Sequence, residues 1–307
     1  MVVRDMSTVA WVESPLQLVG AAEWADAAGR RVTIAGRLTA QMPGTADELL
    51  ARGAAFGVCE PYLGIPWKLL SQHRHWLVGD GFSGQFRLAA AVLRPQRLTF
   101  LDDGANALAF ADTLVGRRGY SRPGVSERGL TTKVAPFALD VIHGRGLAGN
   151  VEVFTAFELG EERVDRLRDL GIRTTRHGFE WTRRTAPAST LGTRRVVLGS
   201  AQPVDGRLEL DVYLDWVAAE AAIAPVAYLP HRRESAELLR AIVAIPGVRL
   251  IETHLPAELV LAGSTEPLEV LTLASSTTTT LPLVLEGSGS VLRARDPRAR
   301  HRRKAVR

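Results

Sequence analysis

Leu98-Thr99-Phe100-Leu101-Asp102-Asp103-Gly104 decides how the rest of the chain is read. Four apolar or β-branched residues suit a buried strand, two acids end it, and the glycine permits a sharp turn. The same order returns where Val226–Leu229 runs into Pro230-His231-Arg232-Arg233-Glu234, and where Val270–Leu273 runs into Ser275-Ser276-Thr277. In open α/β sheets, ligands bind in the crevice beyond the carboxyl ends of the strands. A chain that repeatedly stops a strand on an acid, a histidine or a hydroxyl pair is therefore arranged around a site.

Working outward, strand and helix patterns alternate along almost the whole sequence. Val9–Val12 reads as a strand, and Ser14-Pro15 opens a helix through Leu18, Ala21 and Trp24, with proline in the first turn as a start signal. Further strands are expected at Val32–Ala35, Trp76–Val78 and Val151–Thr155, with helices at Ala46–Arg52, Phe86–Leu93 and Glu161–Leu170. The stretch 115–148 is rich in Gly, Arg and Ser and reads as a long connection or an acceptor-facing insertion. Residues 182–193 lack periodicity and hold Pro, Ser, Thr and Gly, which makes them the best linker. Beyond it come strands at Arg195–Leu198, Val226–Leu229, Val248–Glu252 and Val270–Leu273, with helices at Glu209–Ala222 and Glu234–Val243. Such alternation implies parallel sheets with both faces covered. The expectation is an α/β protein of two Rossmann-like domains, 1–185 and 194–292, facing each other across a cleft, followed by a basic tail over 293–307.

Composition limits what the chain can be. Hydrophobic residues make up 46% and charged residues 23%, ordinary for a globular protein with sizeable cores. Of 38 basic and 33 acidic residues, eight and one lie in 293–307, leaving 30 against 32 in the body. The net charge of +5 thus belongs to the tail. That tail reads as a solvated extension, or as a weak attachment to an anionic membrane face. Aromatic residues are few, at 6%, so a nucleic-acid surface of stacked rings is not expected. The single cysteine, Cys59, excludes an internal disulfide and cysteine-based metal clusters, and reads as a buried, inert thiol. No apolar run is long enough to span a bilayer and no signal peptide is visible, so the default is a cytoplasmic protein, with peripheral contact at the inner membrane face through the tail.

Each polar cluster has a structural and a chemical reading. Asp102 and Asp103 suit turn and N-cap positions, but a carboxylate at a strand end is also placed to take a hydroxyl proton. His231, with Arg232 and Arg233, can meet a phosphate at a helix start, or form a surface turn tied by Glu234. Ser275, Ser276 and Thr277 can cap a helix or bind phosphate oxygens. Among the other histidines, His73 and His75 are expected at a helix end, and His143 and His177 in polar loops. Gly79-Asp80-Gly81-Phe82-Ser83-Gly84 is a literal G-x-G-x-x-G behind a strand, with acids some twenty residues on, which is the dinucleotide fingerprint. It points to an NAD(P)-dependent oxidoreductase as a competing reading, and a nucleotide- or carbohydrate-binding protein without turnover is a third. No Walker A loop, H-E-x-x-H or paired-cysteine metal motif is present.

Ser14-Pro15-Leu16-Gln17-Leu18, Leu101-Asp102-Asp103-Gly104, Pro230-His231, Pro256-Ala257-Glu258-Leu259 and Ser275-Ser276 together resemble, in order and spacing, bacterial sialyltransferases of the lipooligosaccharide and polysialic-acid types. The resemblance implies a GT-B fold and inverting transfer of a sialic acid, or a related 2-keto sugar acid, from a CMP-sugar donor to a glycan or small-molecule hydroxyl. It implies no metal and no other cofactor. By it Asp102 is the general base and His231 contacts the departing phosphate. Ser275, Ser276 and Thr277 hold that phosphate, and Glu258 binds the nucleoside. Ser14, Gln17, Asp103, Gly104 and Arg232 complete the substrate-binding set. His231 is followed by Arg232 where the family has proline, so the phosphate contacts of that loop are expected to differ.

Overall fold

The computed structural model describes residues 7–104 and 106–298. The chain divides after Trp181 into two compact units. The first holds strands β1 (Thr8–Val12), β2 (Val32–Arg37), β3 (Phe56–Tyr62), β4 (His75–Val78), β5 (Arg97–Phe100), β6 (Val151–Thr155) and β7 (Ile172–Arg176). Its helices are α1 (Pro15–Ala28), α2 (Met42–Ala51), α3 (Trp67–Gln72), α4 (Gly84–Leu93), α5 (Asn106–Leu114), α6 (Leu130–Lys133), α7 (Ala135–Leu147) and α8 (Glu161–Asp169). The division falls within α9 (Glu180–Thr185). The second unit holds β8 (Arg195–Leu198), β9 (Val226–Leu229), β10 (Val248–Leu250), β11 (Glu269–Leu273) and β12 (Val291–Arg295), with α10 (Leu210–Ile223), α11 (Ala236–Val243), α12 (Ala257–Leu261) and α13 (Thr277–Val284).

Both sheets are parallel, as apolar strands joined by helices require. The first is seven-stranded in the order β3-β2-β1-β4-β5-β6-β7, the second five-stranded in the order β10-β9-β8-β11-β12. Each order reverses at one place, between β1 and β4 in the first unit and between β8 and β11 in the second. Loops leaving neighbouring strands diverge at such a switch point and open a crevice. The residues after β1, β4, β8 and β11 are therefore the ones to inspect. Every residue of β1, β4 and β9 is buried. The two cores are separate, one around Trp11, Trp76, Phe86 and Phe100, the other around Tyr213, Trp216 and Tyr228.

Local expectations are corrected at several places. Phe56–Tyr62 is an edge strand whose exposed residues alternate with sheltered ones and which holds Pro61, so no apolar run marks it. Cys59 lies on that strand half-buried rather than in a core. The stretch 115–148 contains α7, a 13-residue helix, and His143 sits on it. Its Gly146 hides the helical pattern but lets α7 approach the start of β7, since a Cβ there would lie 2.6 Å from the Leu170 carbonyl oxygen. His75 is in β4 with no exposed surface, its Nε2 3.0 Å from Thr99 Oγ1. Finally, the tail does not begin as free chain. Arg293–Arg295 pair with β11 as part of β12, and Arg293 Nε meets Glu269 Oε1 at 2.8 Å. Residues 299–307, and with them most of the expected membrane contact, lie outside the described residues. Among the described residues no helix is long and apolar enough to cross a membrane.

Candidate functional site

In the first unit the switch-point loops carry Glu13 and Ser14 after β1 and Gly79-Asp80-Gly81 after β4. Ser14 caps α1 in extended geometry and accepts from the Gln17 N–H at 3.4 Å. Gln17 is buried, and its side chain ties three loops together. Its Oε1 accepts from the Glu13 N–H at 2.6 Å, and its Nε2 donates to Asp103 Oδ1 at 2.8 Å. Asp103 also accepts from Asn106 Nδ2 at 2.9 Å and from Arg122 Nη1 at 3.3 Å. Gly104, at φ +58°, makes the left-handed turn that carries the chain from Asp103 toward α5.

Asp102 faces the other way. It is 3% exposed, and its carboxylate accepts from the Thr155 hydroxyl and from the Ala156 N–H at 2.7 Å. His177 Nε2 stands 3.3 Å from Asp102 Oδ2. His177, expected in a polar loop, is 5% exposed and stacked on Phe154, with ring centroids 4.6 Å apart. Asp102 thus ties the end of β5 to the ends of β6 and β7.

Asp80, itself 7% exposed, lies at the wall of a cavity of about 410 Å³ that it lines with Glu13, Arg37, Ser83, Arg122 and Glu127. Its Oδ1 accepts from the Phe82 N–H at 2.9 Å, and Arg122 pairs with its other oxygen. Burial pushes its pKa up to about 7, Asp103 adds to the rise, and Arg122 opposes it. Arg122 itself bridges Asp80 and Asp103. It sits on the loop that follows α5, which is anchored from inside. Arg87, fully buried, donates to Glu127 Oε2 at 2.7 Å and to the Phe82 carbonyl at 2.7 Å, with its guanidinium 4.7 Å above the Tyr120 ring. Arg37 pairs with Glu13 across the cavity rim.

The G-x-G-x-x-G stretch does form a strand–turn–helix, but its glycines serve the protein's own side chains. A Cβ on Gly79 would lie 2.3 Å from Gln17 Oε1, and one on Gly81 would lie 2.5 Å from the Phe110 ring. In a dinucleotide site that space is left for the pyrophosphate to approach the backbone; here Gln17 and Phe110 fill it. The dinucleotide reading is corrected accordingly.

In the second unit, Glu234 organises the strand ends. It accepts from the Ser200 N–H at 2.9 Å, the His231 N–H at 3.1 Å and the Tyr228 hydroxyl at 2.7 Å, and burial raises its pKa. A Cβ on Gly199 would lie 2.4 Å from the His231 nitrogen, so only glycine fits that approach. His231 Nδ1 accepts from the Arg233 N–H at 3.2 Å, which leaves Nε2 as the protonated, donating nitrogen. Burial, then Arg232 and Arg233, lower the His231 pKa to about 4. The imidazole is therefore neutral near pH 7. Arg232 is exposed, while Arg233 Nη1 is held on Asp205 Oδ2 at 3.1 Å.

Ser275 is exposed at the end of β11, with its hydroxyl 2.7 Å from Thr277 Oγ1. Ser276 precedes α13 in helical geometry, with no side-chain cap bond. Gln202 Nε2 reaches the Ala274 carbonyl at 3.2 Å, linking the loops after β8 and β11. Glu258 lies apart from this group. It is buried on α12, raised in pKa by that burial, and accepts from Thr280 Oγ1 at 2.7 Å, so it joins α12 to α13. Among the described residues no group of three or more His, Cys, Asp or Glu side chains is placed to hold a metal ion.

The structure thus gathers Ser14, Gln17, Asp103 and Gly104 around one switch point and His231, Arg232, Ser275, Ser276 and Thr277 around the other, while Asp102 and Glu258 point into packing. Sequence reasoning did not single out Asp80, Arg122 or Glu127 as candidate site residues, and gave Glu234 only a structural part. The signal for Asp80 was its place directly behind β4, hidden by the glycines around it.

A scan against protein-family models and a search of curated proteins find no match to this chain. Solved structures do match in fold. S. aureus MnaA, in a co-structure with UDP, superposes with a TM-score of 0.57 at 11% identity, covering 97% of this chain and 82% of that one. The UDP-GlcNAc 2-epimerase of Neisseria meningitidis, bound to UDP-GlcNAc, gives 0.53 at 9%, covering 96% and 85%. A protein described as a UDP-N-acetylglucosamine 2-epimerase from Listeria monocytogenes gives 0.53 at 13%, covering 97% and 82%. The α/β class with two Rossmann-like parallel sheets of GT-B type is thereby established. The resemblance to bacterial sialyltransferases is corrected. The motifs that carried it are strand-end residues any such fold can hold, and the structures that match lie with UDP-sugar proteins.

Proposed function

We propose that this chain acts on a UDP-linked sugar and moves its glycosyl group to an acceptor hydroxyl, with Asp80 as the general base. The observation that carries this reading is a strand-end carboxyl lining a cavity, with its pKa pushed up to about 7 by burial. A base is most effective when its pKa lies near the working pH. Asp80 takes the acceptor proton in preference to Asp102 because Asp80 lines the roomy cavity, whereas the space beside Asp102 is only about 10 Å³. Arg122 holds Asp80 in place, and the Gln17–Asp103 pair holds Arg122.

As the acceptor oxygen forms its bond to the anomeric carbon, its proton passes to Asp80 and the sugar–phosphate bond breaks. The nucleoside diphosphate leaves with that bonding pair. The second unit offers donors for such a phosphate: the start of α13 with Ser275, Ser276 and Thr277, the Nε2–H of His231, and Arg232. Those donors suit a nucleotide, and the UDP-bound structures of the same fold support uridine over cytidine.

The same fold matches favour a second reading, in which Asp80 removes a carbon-bound proton from the sugar and the product is an epimer. The test incubates the protein with UDP-GlcNAc in deuterated water, with and without glycan acceptors. UDP release that depends on acceptor supports transfer, whereas deuterium at C2 without net release supports epimerisation. If UDP does not raise the unfolding temperature and no UDP-sugar is turned over, both readings fall.

A further inference from the structure

The other end of the first unit's sheet holds a second charged cavity, of about 480 Å³. Its walls are Trp24 and the end of α1, Arg30 before β2, Arg97 at the start of β5, Glu152 on β6, and Arg173 and Thr175 on β7. Thr99 pairs in register with Glu152, and Glu152 with Arg173. Side chains in register share a face of a parallel sheet, and so do those two positions away. Arg97, Glu152, Arg173 and Thr175 therefore project from one face. Arg97 begins the strand that Asp103 follows, so this cavity and the one at Asp80 lie at opposite ends of β5.

Its charges do not balance. Glu152 is the acid in the wall, 4% exposed, and its acceptor capacity is spent. Oε1 accepts from Thr175 Oγ1 at 2.8 Å, Arg173 Nη2 at 2.9 Å and Arg173 Nε at 3.2 Å. Oε2 accepts from Thr99 Oγ1 at 3.0 Å and Trp24 Nε1 at 3.1 Å. Burial pushes the Glu152 pKa up, but its hydrogen-bond donors and Arg173 outweigh that and hold the carboxyl below the usual range, so it is ionised. Arg97 gains nothing from it directly: among the described residues no acceptor receives a hydrogen bond from the Arg97 guanidinium. Burial, with Arg173 and Arg30 nearby, lowers the Arg97 pKa. His75 adds no anion; burial, with Arg97 next, takes its pKa down to about 3, and it is neutral. Arg97 and Arg173 thus face a cavity whose one carboxylate is saturated.

We propose that this cavity at the amino edge of the seven-stranded sheet is a binding site for a phosphate-bearing ligand, gripped by Arg97 and Arg173 with Arg30 beside them. A planar guanidinium fork donates to two oxygens of a phosphate at once, and a dianion neutralises what Glu152 cannot. The volume accommodates more than one phosphate group, so a diphosphate is the better fit. The site stands independently of the role proposed for Asp80.

The test is calorimetric titration of the whole protein, free of nucleotide, with inorganic phosphate, pyrophosphate and citrate, the arginine variants below separating this cavity from any nucleotide site. Pyrophosphate is expected to bind more tightly than phosphate. Arg97→Gln is expected to weaken pyrophosphate by about tenfold or more, with Arg97→Lys recovering only part of it. Asp80→Asn is expected to leave that affinity unchanged. Arg173→Gln, at a more exposed position, is the second variant should Arg97→Gln not fold. No binding of either phosphate probe at about 10 mM overturns the proposal, as does affinity unchanged in both arginine variants. Citrate binding more tightly than pyrophosphate through the same arginines overturns the phosphate assignment.

Discussion

At the ends of β4 and β5 the first unit gathers Asp80, Asp103 and Arg122, a titrating acid held between a like charge and an opposite one. At the ends of β8, β9 and β11 the second unit gathers a neutral imidazole, three hydroxyl side chains and backbone N–H groups, braced by the half-buried Glu234. Both sets stand at the switch point of a parallel sheet. The topology fixes where a site opens, while burial and neighbours set which chemistry it can do. The first arrangement suits moving a proton; the second suits holding an anion without itself titrating near neutrality.

The largest effect that could break this comparison is on turnover. Asp80→Asn is expected to lower kcat by about 10²–10⁴-fold while UDP affinity, which the proposal assigns to the other unit, changes little. Asp102→Asn is expected to act on stability instead, by about 1–3 kcal/mol, because it disturbs a buried acceptor shared by Thr155 and Ala156. Denaturation curves and initial rates on both variants check this. A kcat loss larger in Asp102→Asn than in Asp80→Asn, with stability intact, would return the base to Asp102.

Next in size is Gly199→Ala. Its new Cβ would meet the His231 nitrogen and the Glu234 carboxylate, so the loops after β8 and β9 must part. A loss of about 1–3 kcal/mol in unfolding free energy is expected, together with weaker UDP binding. Unchanged stability and affinity would show that Glu234 does not organise the second unit's strand ends.

The pH dependence sharpens the contrast further. As a base, Asp80 works when ionised, so kcat is expected to rise with pH through about 7. Stability has the opposite sign. The Asp80 pKa is raised on folding from its ordinary 3.8, so its contribution is full below that value and is lost as pH rises through about 7. Asp80→Asn should therefore flatten the decline in unfolding temperature between about pH 4 and pH 8. A decline as steep as in the unmutated protein would mean that the titrating group is elsewhere.

The strand ends were legible in the sequence because parallel strands are apolar runs, and Asp102, His231 and Ser275 each follow one directly. Which acid lines the roomier cavity was not legible. Asp102 is closed off by Thr155 and Ala156, which lie 53 and 54 residues downstream, and Asp80 is completed by Arg122, 42 residues away. Local spacing carries no trace of such partners. The glycines misled for a related reason. Gly79 and Gly81 suggested a bound phosphate, yet their missing side chains make room for Gln17 and Phe110. The edge strand β3 escaped notice because only one of its faces is packed, and α7 because Gly146 serves the approach to β7 rather than helix propensity.

The smallest expected effect tests the neutral side most directly. If His231 acts only through its Nε2–H, a glutamine in its place retains an amide donor of similar reach. His231→Gln is then expected to change UDP affinity by no more than about threefold, less than half of what a tenfold change represents in free energy. The affinity of the unmutated protein should likewise stay level between about pH 5 and pH 8, because a pKa near 4 keeps the ring uncharged throughout. Arg232→Gln, which removes an exposed cation from the same loop, should cost more than His231→Gln and should lower the salt dependence of binding. A loss of tenfold or more in His231→Gln, with affinity in the unmutated protein climbing as pH falls toward 6, would show an imidazolium in the bound state. The second unit would then carry a titrating charge like the first, and the division of labour drawn between them would fail at that residue.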